Sequence, residues 1–445
     1  MNHGRTLHST DRFYFPEEVT FRSCKEGWLV VSTLTANWLV LPTNFQKTLM
    51  EHLLTGATIG EICSFITNSH QHKELQQLLA AITAREFGCT YGAPSPIKTD
   101  ITQQITCYLT NACNLRCDHC FMHSGKPLAD ELKKEEWLRI LTDFSQQGGK
   151  NVTLTGGEPL MNHGFEAILK HANQLGLVTT ILSNGALWTE ENIERLTTYI
   201  SEIQISIDGF DEPSNAKVRG AGYFDKVVAN IIRFANTGIR TSVATTFTFQ
   251  NIQEDTGSRY QHMVDYIKSQ CQHPIFFKLS KKILQGRNTR YTEEENRIFY
   301  DYVMKIEHSV NPDAQFTNFI LGHTPNSYMD NCGFGGISIG ANGEVFYCNR
   351  LLEMESYGNI KGQSIKPFLE QGRQLHELTS VENLQPCATC HLRYICGGGC
   401  RIDECNFQGK LKSHKGVLLQ TKCNKDTILQ LERKMIDSYL YYYKF

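Results

Sequence analysis

Short apolar runs alternate with amphipathic stretches between about Asp100 and Gly286 of this 445-residue chain. Ile101–Leu109, Asn151–Leu154, Val178–Leu182, Glu202–Ile207, Arg240–Phe247 and Ile275–Leu279 have the length and β-branched content of strands. Between them, Glu135–Phe144 sets Trp137, Ile140, Leu141 and Phe144 at helical spacing, and Phe165–Leu175 reads the same way. Repeated strand–helix units predict an α/β fold, a partial (β/α)6 TIM-like barrel over residues 100–300 with its site at the carboxyl ends of the strands.

The flanks follow other patterns. Residues 1–90 predict a small winged-helix-like α+β domain, with strands at Trp28–Leu34 and Asn37–Leu41 and helices at Phe45–Leu54, from Thr58, and at Glu74–Phe87. Thr58 and Glu61 have the spacing of a capping box. Thr90-Tyr-Gly-Ala-Pro-Ser-Pro then reads as a linker. Residues 325–445 are short-stranded and rich in Gly and Cys, closing with a helix at Lys425–Tyr439. So little apolar content calls for metal to hold the segment together.

A formal net charge of -2 provides no global basic field for nucleic acid. No apolar run approaches the roughly 20 residues of a membrane span. The opening lacks the apolar core of a secretory signal. The expectation is a cytoplasmic protein with neither nucleic-acid nor membrane partners. Sixteen cysteines then point to metal or catalysis rather than to disulfides.

Cys113, Cys117 and Cys120 follow the first barrel strand. A [4Fe–4S] cluster takes four thiolates, so three in one loop leave an iron open to a small chelating molecule. A structural zinc site, with His119 or His123 as a further ligand, is the alternative at this point. Cys107, inside the strand, reads as a core thiol.

The Cys-x3-Cys-x2-Cys spacing, with His119 before the third cysteine, resembles the signature of the radical S-adenosylmethionine (SAM) superfamily. Gly156-Gly157-Glu158-Pro159 resembles that family's GGEP element. The resemblance implies that Gly156 and Gly157 admit the SAM amino group and that Glu158 accepts from its ammonium. It likewise implies SAM contacts for Ser183 and Asn184, for Ser206 and Asp208, for Arg219 as partner of a carboxylate, and for Gly286-Arg287 near the adenine.

The tail series Cys332, Cys348, Cys387-x2-Cys390-x5-Cys396-x3-Cys400 and Cys423 resembles the SPASM extension. That implies two auxiliary [4Fe–4S] clusters, three clusters in all. Cys387, Cys390, Cys396 and Cys423 would hold the outer one. Cys332, Cys348 and Cys400 would hold the inner one, with either an open iron or Cys405 as fourth ligand. Cys24, Cys63, Cys89 and Cys271 have no partner spacing and read as structural thiols.

The first ninety residues resemble the PqqD-like leader-peptide recognition domain, which binds a leader as an added strand. Together the resemblances imply a maturase that oxidatively cross-links a ribosomally made precursor peptide through a C–C or C–O bond. Its other partner would be an electron donor such as flavodoxin or ferredoxin. The alternatives are a formylglycine-forming, sulfatase-type maturase, a peptide epimerase and, in another class, a zinc-bearing winged-helix regulator.

Overall fold

The computed structural model describes residues 7–97, 100–350, 355–405 and 419–443. The chain divides into two units interleaved in sequence: Met1–Asp100 with Asp313–Phe334 and His376–Phe445, and Ile101–Pro312 with Gly335–Leu375.

The first unit begins with an antiparallel sheet, β1 (Val19–Cys24), β2 (Gly27–Ser32) and β3 (Asn37–Leu41), in that spatial order. Helices α1 (Asn44–Leu54), α2 (Ile59–Cys63) and α3 (Ser69–Ala84) follow, and the Thr58–Glu61 capping box is formed. Strand β1 was not legible in the sequence. Its Arg22 and Ser23 are exposed, as suits a sheet edge, and this breaks any apolar run.

The second unit alternates strand and helix: β4 (Gln104–Tyr108), α4 (Lys134–Gln146), β5 (Asn151–Thr155), α5 (Phe165–Gln174), β6 (Val178–Ser183), α6 (Glu190–Leu196) and β7 (Glu202–Ser206). It continues through α7 (Glu212–Arg219), α8 (Phe224–Asn236), β8 (Arg240–Thr245), α9 (Thr256–Gln270), β9 (Ile275–Leu279) and α10 (Glu293–Val310). All six expected strands form, parallel and in chain order from β4 to β9.

The last elements are α11 (Ala314–Leu321), β10 (Ile337–Ile339), β11 (Val345–Phe346), α12 (Lys366–Leu378), β12 (Leu384–Gln385), α13 (Arg393–Cys396), β13 (Leu419–Gln420) and α14 (Lys425–Tyr442). Strand β10 departs from the expected domain boundaries. It runs parallel to β4, with Ile337 opposite Ile105, and β11 pairs antiparallel beyond it, so the barrel sheet has eight strands. The apolar, fully buried β10 covers the unpaired N–H and C=O row that β4 would otherwise present.

Alternation along these strands shapes the site. Val152, Leu154, Ile181, Ile203, Ile205 and Val243 are buried on the convex face, with Cys107 among them as a core thiol. Residues of opposite parity (Thr155, Leu182, Gln204 and Ser206) line a cavity on the concave face. An open sheet leaves that face hollow.

In the first unit, one apolar core joins Leu29, Val30 and Trp38 to Ile320, Leu384, Met435 and Tyr439. The first ninety residues and the tail therefore share an interior. Trp38 has no exposure, and its ring lies 5.6 Å from Phe319 and 4.6 Å from the Arg85 guanidinium. Trp38→Ala is expected to destabilise this unit by about 3–5 kcal/mol, measured by urea denaturation.

Candidate functional site

The three cysteines sit in the loop between β4 and α4, and this loop is built largely from main-chain hydrogen bonds. Cys113 N–H donates to Gly125 O at 3.0 Å, and Gly125 N–H donates to Asn111 O at 2.9 Å. Glu131 fastens the start of the loop, accepting from Thr110 Oγ1 at 2.8 Å and from Asn111 N–H at 2.7 Å. Nothing in the sequence marks Glu131, one acid in a charged stretch.

The turn after β5 is pressed onto this loop. Gly157 N–H donates to Thr110 O at 2.8 Å and Glu158 N–H to Ala112 O at 2.9 Å. A Cβ on Gly156 would lie 2.5 Å from Thr110 O, and one on Gly157 would lie 2.3 Å from Ala112 O. Both glycines thus permit backbone to meet backbone, beneath the cysteines, as well as lining the cavity.

The turn after β9 clasps the same loop. Arg287 donates to Cys117 O at 3.1 Å and to Ser124 O, and Asn288 N–H donates to Asp118 O at 2.8 Å. A Cβ on Gly286 would meet the His119 carbonyl carbon at 2.5 Å. The Gly286-Arg287 pair, expected near an adenine, here holds the cysteine loop.

A cavity of about 250 Å³ results. Cys113, Cys117 and Cys120 line it, together with Gly156, Gly157, Ser183, Asn184, Ser206 and Arg219. Tyr108, Phe121 and Met122, none of which the sequence singled out, also reach it.

Glu158 and Asp208 do not line the cavity; both lie behind its wall, fully buried. Glu158 accepts from Ser183 Oγ and from Asn184 N–H, both at 2.8 Å, so its two oxygens orient the Ser183–Asn184 turn. Burial pushes its carboxyl up to about 7, against those hydrogen bonds. Asp208 accepts from Thr246 N–H at 2.7 Å and lies 2.6 Å from Arg219 Nε and 2.5 Å from His119 Nε2. Burial would raise its pKa, but the charges of Arg219 and His119 hold it down at about 2. His119 is thus committed to Asp208 rather than turned toward a zinc ion.

The thiols fit an iron–sulfur cluster. Cys113 Sγ accepts from Leu115 N–H at 3.5 Å and from Asn184 Nδ2 at 3.7 Å. Burial lifts the Cys117 thiol to about 11, and the nearby Arg219 charge opposes that rise. Among the described residues, no three His, Cys, Asp or Glu side chains converge as the ligands of one metal ion do. A cluster gives each thiol its own iron, so three thiols spread around a cavity suit it better than they suit zinc.

The comparisons with known proteins agree. Residues 107–256 match the sequence profile of the Radical SAM superfamily. This stretch is a radical SAM domain.

The chain is 33% identical over 188 residues to the sporulation killing factor maturation protein SkfB of Bacillus subtilis (strain 168). That match spans 41% of this chain and 43% of that protein, less than half of each. It is 26% identical over 312 residues to the mycofactocin maturase MftC of Mycolicibacterium smegmatis, covering 66% of this chain and 77% of that one. The structure of Streptococcus suis SuiB bound to the precursor peptide SuiA shares the fold, with a TM-score of 0.50 at 17% identity over 88% of this chain and 96% of that one.

Outside the radical SAM domain, the first unit brings together Cys387, Cys390, Cys396 and Cys423 around one small apolar cavity. Burial and the neighbouring thiols raise Cys387 to about 11. In the same unit the thiols of Cys332 and Cys400 are hydrogen-bonded to each other, and the charge of Cys400 reaches Cys405. Cys348 lies just after β11 in the barrel unit.

Two outcomes follow for the radical SAM domain. Asp208→Asn leaves the Arg219 charge buried without its partner and is expected to cost about 3–5 kcal/mol, measured by chemical denaturation. Glu158 keeps its proton in the fold to about pH 7 but loses it near 4.5 when unfolded. Its contribution to stability is therefore full below pH 4.5 and is lost as pH rises through 7. Glu158→Gln is expected to flatten that part of a urea-midpoint-against-pH curve.

Proposed function

We propose that this chain is a radical SAM maturase that oxidatively cross-links a ribosomally made precursor peptide. The observation that carries the reading is the cavity at the carboxyl ends of the barrel strands, where Cys113, Cys117 and Cys120 face Gly156, Gly157, Asn184 and Arg219. Cys113, Cys117 and Cys120 would hold a [4Fe–4S] cluster there, and with SAM bound it would supply the electron for reductive cleavage of the sulfonium.

The residues around that cluster have separate tasks. Arg219, fixed by Asp208, offers a cation to the carboxylate of SAM, and Ser183, Asn184 and Ser206 offer polar contacts. The clasp of Arg287 holds the cluster loop against the ends of the strands. The concave sheet face leaves room for a side chain of the peptide to approach from the open side.

Three further observations support a peptide substrate with net oxidation. The relatives SkfB and MftC are maturation proteins, and SuiB, which shares the fold, binds a precursor peptide. Two cysteine groups in the first unit provide thiols for auxiliary clusters that would take the surplus electron from the substrate radical, while an external donor such as flavodoxin or ferredoxin would supply the electron that cleavage of SAM consumes. Strand β1 stands at the edge of its sheet, and among the described residues no further strand pairs with it, which would leave a backbone row for a leader peptide.

The test is a search for a short open reading frame beside the one for this chain and co-expression with the peptide it encodes, followed by mass spectrometry of the product. Loss of two or four hydrogens is expected. An unchanged mass points to epimerisation and overturns the cross-linking reading. Replacing Cys113, Cys117 and Cys120 together by Ala is expected to remove about four irons per chain and to bring 5′-deoxyadenosine formation down to background.

A further inference from the structure

Among the described residues, the eight strands of the barrel sheet carry three charged side chains: Glu202 and Arg240, at the starts of β7 and β8, and Lys278 in β9. Glu202 and Arg240 pair with each other at 3.3 Å. Lys278 has no carboxylate partner among the described residues; its Nζ donates instead to Gln204 Oε1 at 3.4 Å.

Register fixes which way Lys278 points. It stands opposite Ala244, and Ala244 stands opposite Ser206, a residue of the cavity wall. Residues in register on parallel strands share a face, so Lys278 belongs to the concave side. Its neighbour Phe277 faces the helices, with the Lys268 ammonium of α9 5.9 Å from its ring.

To reach Gln204, the lysine crosses β8 diagonally, over two strand spacings of about 4.8 Å each. The crossing is open because β8 places only Ser242 and Ala244 beneath it on that face. Gln204 itself lines the cavity that Cys113, Cys117 and Cys120 share. Nearer the carboxyl ends of the strands, Thr246 and Ser280 pair their hydroxyls at 2.7 Å and bring no negative charge. The concave face therefore presents one cation without a counter-charge, directed toward the place where the peptide is proposed to approach.

We infer that Lys278 and Gln204 form a subsite for a carboxylate of the precursor peptide, either an Asp or Glu side chain or the peptide's own C-terminus. The ammonium supplies charge and donors for a charge-assisted hydrogen bond. With Oε1 engaged by Lys278, Gln204 keeps its amide N–H groups for the same anion. The pair acts on specificity: it fixes which part of the peptide rests on the sheet, and so which side chain is left facing the three cysteines. The subsite rests on the peptide-substrate reading above and names the feature of the peptide that it selects. An inward-facing charge on an edge strand also discourages pairing with other sheets. That role involves no anion and gives no dependence on the peptide.

The experiment uses the full-length, iron-loaded protein and the peptide of the neighbouring reading frame. Peptide variants carry Asn or Gln in place of each core Asp or Glu, or an amidated C-terminus. One such change is expected to lower kcat/KM about tenfold, and its position identifies the source of the carboxylate. Lys278→Met is expected to lower kcat/KM by a similar factor for the unaltered peptide, but less than about twofold for that variant, since the two changes remove one interaction. A Lys278→Met effect equal for every peptide, or no effect of any peptide change, overturns the inference. Reductive methylation of lysines, read by mass spectrometry, needs neither turnover nor a variant of the chain. The unaltered peptide is expected to protect Lys278, and the neutralised one to leave it reactive. Protection by SAM alone overturns the subsite, as does a cross-linked peptide that leaves Lys278 unprotected. Protection by a peptide whose mass never changes upholds the subsite and overturns the cross-linking reading instead.

Discussion

The buried carboxylate of Asp208 is the contact on which the radical SAM site depends. It joins Arg219, at the end of α7, to His119, in the middle of the cysteine loop, and is itself held by the N–H of Thr246 just past β8. Three segments that are remote in sequence are tied together by one charge with no access to water. In a low-dielectric interior such a network is worth much when complete and costs much when broken. Arg219 cannot be aimed into the cavity without it.

Around that contact the site is assembled by backbone rather than by side chains. The turn after β5 lies so close to the cysteine loop that Gly156 and Gly157 have no room for a Cβ, and the turn after β9 closes the loop from the other side. The consequence is a loop of three thiols that main-chain contacts with the barrel hold in shape. Glu158 acts in the same spirit, spending both oxygens on the Ser183–Asn184 turn. The cavity wall is therefore braced by hydrogen bonds where the cluster and SAM are proposed to sit.

The cysteine-rich residues of the first unit follow a different logic. They have short strands and little apolar surface of their own, and they complete their interior with Trp38, Leu39 and the other core residues of the first ninety. Burial raises the pKa of the thiols in that interior, and Cys387, Cys390, Cys396 and Cys423 surround a small apolar pocket there, with Arg393 paired to Glu18 beside it.

Local information in the sequence was enough for the elements and the cysteines. Six strands were legible because parity and length of apolar runs report burial directly, and the Cys113–Cys120 spacing reports three thiols in one loop. The sequence could not reveal β1, whose exposed Arg22 and Ser23 mask its alternation, or the pairing of β10 with β4, which joins residues more than two hundred positions apart. Nor could it separate the tasks of the acidic residues. Glu158 and Asp208 resemble ligand contacts in sequence, yet both are buried behind the cavity, because a carboxylate's partners are set by which chain segments the fold brings within hydrogen-bonding reach. The same holds for Arg401. Only the tertiary structure shows that its buried guanidinium is held by four main-chain carbonyls, because these come from chain segments that only the fold brings together.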